Sequence, residues 1–173
     1  AIDLRSQQGR ELFLRLVPRF DVVAENFKAG VMQRFGLGYD DVAAHHPAVV
    51  YVSVSGFGNR GSPYAEWPAY ASIVEAMSGI YEYKREPGRS PRANPVGALG
   101  DISSALFGAV GVLAALRHRD RTGRGQRVDV AMLDVLTALV FDEPVDHYAA
   151  SGVPVRTGNA DARGAPINAY RCA

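Results

Sequence analysis

The chain has 173 residues, 47% of them hydrophobic and 21% charged, with a formal net charge of +1. This is the composition of one soluble globular domain, long enough to bury about 70% of the surface its unfolded chain exposes. The near-zero charge gives no electrostatic case for nucleic acid or an anionic membrane.

A single cysteine, Cys172, excludes an intrachain disulfide framework and fits a reducing, cytoplasmic compartment. No apolar run approaches the roughly 20 residues of a membrane span. The opening "AIDLRSQQGRELF" has none of the features of a secretory signal.

In chain order, "SQQGRELFLRLVPRF" predicts a short amphipathic helix ended near Pro18. "DVVAENF" predicts a buried strand stopping at Asn26, and "AGVMQRFGLG" a short helix closed by glycines. "YDDVAAHHP" predicts a helix with Asp40 and Asp41 in its first turn, and His45 and His46 complementing the dipole at its end. "AVVYVSVSGFG" is the best strand, β-branched and apolar on both faces, stopped by Gly56 and Gly58. Helix, strand, helix, strand is the order of an open parallel α/β sheet, which binds ligands at the carboxyl ends of its strands. "ENF" and "SGFG" stand at those ends and are candidate ligand loops.

"AYASIVEAMSGIYEY" predicts a helix ending around Gly79, and "KREPGRSPRANPVGALG" a long loop. Residues 102–118 predict a helix whose small residues, among them Gly108 and Gly111, imply close approach of another backbone. An interior glycine costs about 1 kcal/mol against alanine. "RTGRGQ" reads as a turn, "RVDVAML" as a strand or extended entry, and "DVLTALVFDEPVDHYAASG" as the next helix. Residues 1–150 therefore read as one α/β domain, and 151–173, rich in Pro, Gly, Asn and Arg, as a linker. Both ends read as cut, which predicts a part of a longer protein.

The chemical candidate is Asp101, alone between Gly100 and a long run of small and apolar residues. Two readings stay open. As a favoured N-cap residue, it closes the start of the helix, and spacing alone favours this. As a nucleophile, it uses the helix N-terminus, which favours negative charge, while Gly100 lets backbone approach a ligand closely. The remaining signals are weaker. "TGRGQ" matches no phosphate-loop pattern, His118 and His147 have no partner at metal-ligand spacing, and no GxSxG elbow occurs. No metal site is predicted.

Three stretches together resemble the class III coenzyme A-transferase family, which includes formyl-CoA transferase. They are "DLRSQQGRELFLRLVPRFDVVAENFKAGVMQRFGLGYDDV", "HPAVVYVSVSGFGNRGS" and "GDISSALFGAVGVLAALRHRDRTGRGQRVDVAML". The resemblance covers nearly the whole chain in consistent order. It implies part of a Rossmann-like parallel sheet with flanking helices, a fragment of a larger interlaced-dimer fold. An N-terminal part of the CoA-binding domain and a small domain would be missing, so 1–173 alone is expected to be inactive.

The resemblance further implies that Asp101, in the Gly-Asp pair before the small-residue helix, is the nucleophile. It places Asn26, Phe27 and Lys28 on coenzyme A, with Ile2 beside the adenine, and adds Arg5, Arg34 and Tyr70 as contacts. Ala71 stands where the family commonly has aspartate. Acyl-CoA and a small carboxylic acid would be the substrates, with no metal. The family also contains α-methylacyl-CoA racemases, which have a histidine at the position of Tyr70. Two-base racemisation needs a second proton carrier, and none is evident, which favours transfer. A CoA-binding remnant without activity and a purely structural α/β module also stay open. Arg85, Arg89 and Arg92 could read a second carboxylate on a dicarboxylic acid, or simply form a solvated basic loop.

Overall fold

The apolar runs pair side by side. A computed structural model describes residues 1–82, 85, 86, 88–91, 96–140 and 148–152. In it β1 (Val22–Glu25), β2 (Val50–Ser55) and β3 (Arg127–Ala131) form one sheet in the order β1-β2-β3, with both pairings parallel. The expected parallel α/β architecture is therefore present. Side chains alternate across a strand, so the central β2 is buried on both faces and its β-branched sequence satisfies both.

On one face lie the helices that precede β2. α1 (Gln7–Leu16) begins at Ser6, whose Oγ accepts the Gly9 N–H at 3.0 Å, and gives way to a 3-10 turn containing Pro18. α2 (Val31–Arg34) and α3 (Tyr39–His45) form the crossover from β1 to β2. Val17, Val23, Val42, Val49 and Tyr51 are buried together here, with Phe13, Leu14 and Tyr39 against them.

The other face carries α5 (Leu99–Thr122) and α6 (Met132–Val140), where Val52, Val130 and Val135 pack with Val54, Val112 and Val128. α4 (Ala71–Ser78) joins this side through Val74, packed with Phe57, Met132, Leu136 and Leu99. Gly108 and Gly111 of α5 pack against valine side chains of the sheet, while Ala105, Ala109 and Ala114 are exposed. A Cβ on Gly111 would come 2.6 Å from Val128 Cγ1, so only glycine lets the helix lie this close to β3.

α5 differs from the sequence expectation in extent. It starts at Leu99 and runs to Thr122, ending on Gly123 with φ 72°. By length and composition alone it is long and apolar enough to cross a membrane, which the linear reading of apolar runs did not anticipate. Its glycine-bearing side packs on the sheet, as in a core helix. Its other side leaves Ile102, Leu106, Val110 and Leu113 exposed. β3 is a true strand, and α6 begins at Met132, two residues before the expected start. Arg92, Cys172, residues 141–147 of the helix predicted after β3 (His147 among them) and nearly all of the predicted linker lie outside the described residues.

Candidate active site

The parallel strands end on one side of the sheet, and the chain opens a cleft of about 1060 Å³ there. Asn26, Phe27 and Lys28 line it from the loop after β1, and Gly56 and Phe57 from the loop after β2. Trp67 and Tyr70 line it from the connection to α4, and Asp101 from the first turn of α5. The two loops singled out as ligand loops thus share one cavity with the lone acid.

The position of Asp101 bears on the capping reading. The N-cap of α5 is Ala98, with φ −75° and ψ 62°, and no side chain caps the helix there. Asp101 is the third helical residue, so the capping role expected from spacing is not its own. Asp101 is exposed to the cleft, and its side chain makes no hydrogen bond or ion pair among the described residues.

The backbone beside it is held from α4. The Gly100 N–H donates to Glu75 Oε1 at 3.0 Å, and the Tyr81 hydroxyl donates to Glu75 Oε2 at 2.6 Å. Glu75 is only 1% exposed. Its acceptance of the phenolic proton, with burial and its negative charge adding, pushes the Tyr81 hydroxyl up to about 12. A Cβ on Gly100 would lie 3.3 Å from Ala71 Cα and 3.3 Å from Val74 Cγ2. The absent side chain at Gly100 therefore serves close packing of α4 on α5, where the sequence suggested approach to a ligand.

A second polar network holds the opposite wall. Glu25, Ser53 and Asp129 stand in register across the three strands. Ser53 Oγ donates to Glu25 Oε1, and Glu25 Oε2 accepts the Phe27 N–H at 2.8 Å. Asn59 Nδ2 donates to Ser53 Oγ at 2.9 Å and to Asp129 Oδ1 at 3.0 Å, while its Oδ1 accepts the Gly30 N–H at 3.3 Å. One amide side chain thereby ties the β1 loop to the β2 loop and to β3.

Not every residue implied by the resemblance reaches the cleft. Asn26, Phe27, Lys28, Tyr70 and Asp101 line it; Ile2, Arg5 and Arg34 do not. Arg5 is exposed and paired with Asp3 at 3.3 Å. Arg34 lies against Gly30, next to the lining residue Ala29; a Cβ on Gly30 would be 3.4 Å from its Nη1. Arg85 is engaged with Glu82 through two contacts of 2.7 Å, and Arg89 faces Glu86 at 3.8 Å; neither lines the cleft.

Glu25, Ser53, Asn59, Asp129 and Glu75 were not anticipated. Two signals were available in the sequence. Ser53 and Ser55 alternate with valines in the most apolar strand, and Glu75 interrupts the apolar run of "ASIVEAMS".

CoA-transferase family III matches residues 1–173. The chain belongs to that family. This class III CoA-transferase chain is 39% identical over 176 residues to the succinyl-CoA:mesaconate CoA-transferase of Haloarcula hispanica, covering 99% of itself and 44% of that protein. It is 39% identical over 169 residues to the succinyl-CoA–D-citramalate CoA-transferase of Chloroflexus aurantiacus, covering 98% of itself and 42% of that protein. The crystal structure of a CAIB/BAIF family protein from Brucella suis superposes with a TM-score of 0.83 at 40% identity, over 96% of this chain and 44% of that one. The chain thus spans less than half the length of the relatives it matches.

Proposed function

We propose that the whole protein transfers coenzyme A from an acyl-CoA to a carboxylic acid, with Asp101 as the nucleophile. The observation that carries this reading is the placement of Asp101: exposed in the cleft, clear of the capping position and unpaired among the described residues. A carboxylate in that state is available to attack.

The reaction runs through four balanced exchanges. The Asp101 carboxylate attacks the thioester carbon, the C–S bond breaks, and CoA leaves as a thiolate from a mixed anhydride. The thiolate attacks the aspartyl carbonyl, forming an aspartyl-CoA thioester and releasing the donor carboxylate. The acceptor carboxylate displaces the thiolate to form a second anhydride. The thiolate then attacks the acceptor acyl carbon, yielding the new acyl-CoA and restoring Asp101. Both anhydrides and the thioester are prone to hydrolysis, so the cleft must exclude water.

Asn26, Phe27 and Lys28 are the coenzyme A contacts of this reading, with Arg34 and Arg5 assigned to the phosphates and Ile2 to the adenine. Tyr70, which lines the cleft, is a further coenzyme A contact of this reading. Among the described residues, none lining the cleft is a histidine, which favours transfer over two-base racemisation. The reading also carries a cytoplasmic interlaced homodimer, in which a partner covers the apolar stripe of α5. A monomeric mass in sedimentation would refute that part.

The Haloarcula hispanica and Chloroflexus aurantiacus relatives both carry succinyl-CoA in their names, so succinyl-CoA is the first donor to test. Full-length protein incubated with it and quenched should carry a covalent adduct on the peptide containing Asp101. Turnover with that peptide unmodified at every time point would remove Asp101 from the mechanism.

A further inference from the structure

We infer that Glu75 is the positioning residue that aims Asp101, acting through the backbone of Gly100. The inference rests on the reading of Asp101 as nucleophile.

A helix start leaves backbone N–H groups without intrahelical partners, and a side-chain oxygen at the N-cap ordinarily accepts one of them. α5 has alanine there and no side-chain cap. Glu75 supplies the missing acceptor from another helix. It takes the N–H of Gly100, the residue immediately before Asp101, at 3.0 Å. The carboxylate is 1% exposed and is held in turn by the Tyr81 hydroxyl at 2.6 Å. Gly100 and α4 are too close for a side chain between them, with Ala71 Cα and Val74 Cγ2 at 3.3 Å from a Cβ built on Gly100. The first turn of α5 is therefore fixed in two ways, by contact and by one charge-assisted hydrogen bond.

This division of labour has a chemical use. An aspartate that capped its own helix would have its oxygens occupied by backbone donors. With Glu75 taking the Gly100 N–H, the turn is anchored without Asp101. Glu75 lines the same cavity but is only 1% exposed, whereas Asp101 is exposed to it. The peptide unit between Gly100 and Asp101 links the anchor to the nucleophile.

The test uses full-length protein and steady-state kinetics with acyl-CoA. Glu75→Leu removes the acceptor, and kcat should fall on the order of 10²-fold, the scale of a small misplacement of a reacting group, with the KM for acyl-CoA within about twofold. Glu75→Asp withdraws the carboxylate by one methylene and should lower kcat about tenfold. It also decides the matter if the leucine variant does not fold. Glu75→Gln keeps an oxygen facing Gly100 and should restore kcat to within about threefold. A merely structural tie would lower the melting temperature of all three while leaving kcat per folded protein and KM unchanged, and that result overturns the inference. A wild type that does not transfer CoA would instead refute the proposed function, and the inference with it. An active wild type with unaffected variants refutes the inference alone.

Discussion

The two walls of the cleft are held by the same device used at different range. On the loop wall, Glu25 accepts the N–H of Phe27, two residues along the chain. On the helix wall, Glu75 accepts the N–H of Gly100, 25 residues away and on another helix. Each carboxylate fixes a backbone amide at or beside a residue proposed to meet substrate. The local device needs only a strand end and a turn. The remote one needs α4 and α5 already packed, so its geometry exists only once the fold does. A cavity built this way has one wall shaped by local sequence and one shaped by tertiary contact, and substitutions should divide along that line. Those on the helix wall should act on kcat, and those on the loop wall on KM.

The largest effect should come from Asp101→Asn. Because Asp101 is not the cap, stability should move by no more than about 0.5 kcal/mol, while kcat falls at least about 10³-fold, since a neutral amide cannot form the anhydride. A loss of about 1 kcal/mol in Asp101→Ala, read by denaturant titration, would restore the capping role and break the contrast. On the loop wall, Glu25→Ala leaves the Phe27 N–H and Ser53 Oγ without their acceptor. The KM for acyl-CoA should rise about tenfold, with kcat reduced less. An equal fall in kcat would mean that the two walls are not separable. The smallest effect should belong to Arg34→Ala, with an increase in KM of about fivefold, because the guanidinium lies beside the loop and outside the cleft lining. An unchanged KM at both low and high salt would remove Arg34 from coenzyme A.

Much of this was legible without coordinates, because it depends on short-range preference. The valine run of β2 is stable only with both faces covered, and Gly56 and Gly58 stop it; strand, burial and parallel class follow together. Pro18 and Gly79 mark helix ends through local sterics. Asn26, Phe27 and Gly56 could be set near one cavity because parallel strands deliver their carboxyl ends to the same side.

What the sequence could not determine is where α5 starts and which acid does what within it. "GALGDISS" accommodates a start at Leu99 or, with Asp101 as the cap, at Ile102, and local propensity favours the latter. The earlier start is stable because a carboxylate from α4 takes the Gly100 amide and because Gly100 admits α4 at van der Waals distance. The network of Glu25, Ser53, Asn59 and Asp129 is likewise a product of strand register, which places on one row residues that lie up to 104 positions apart in the chain (129 − 25). Local sequence decides conformation over a few residues, where sterics and neighbouring donors dominate. The pairing of a buried charge depends on which groups packing brings within about 3 Å of it, and tertiary structure alone sets that distance.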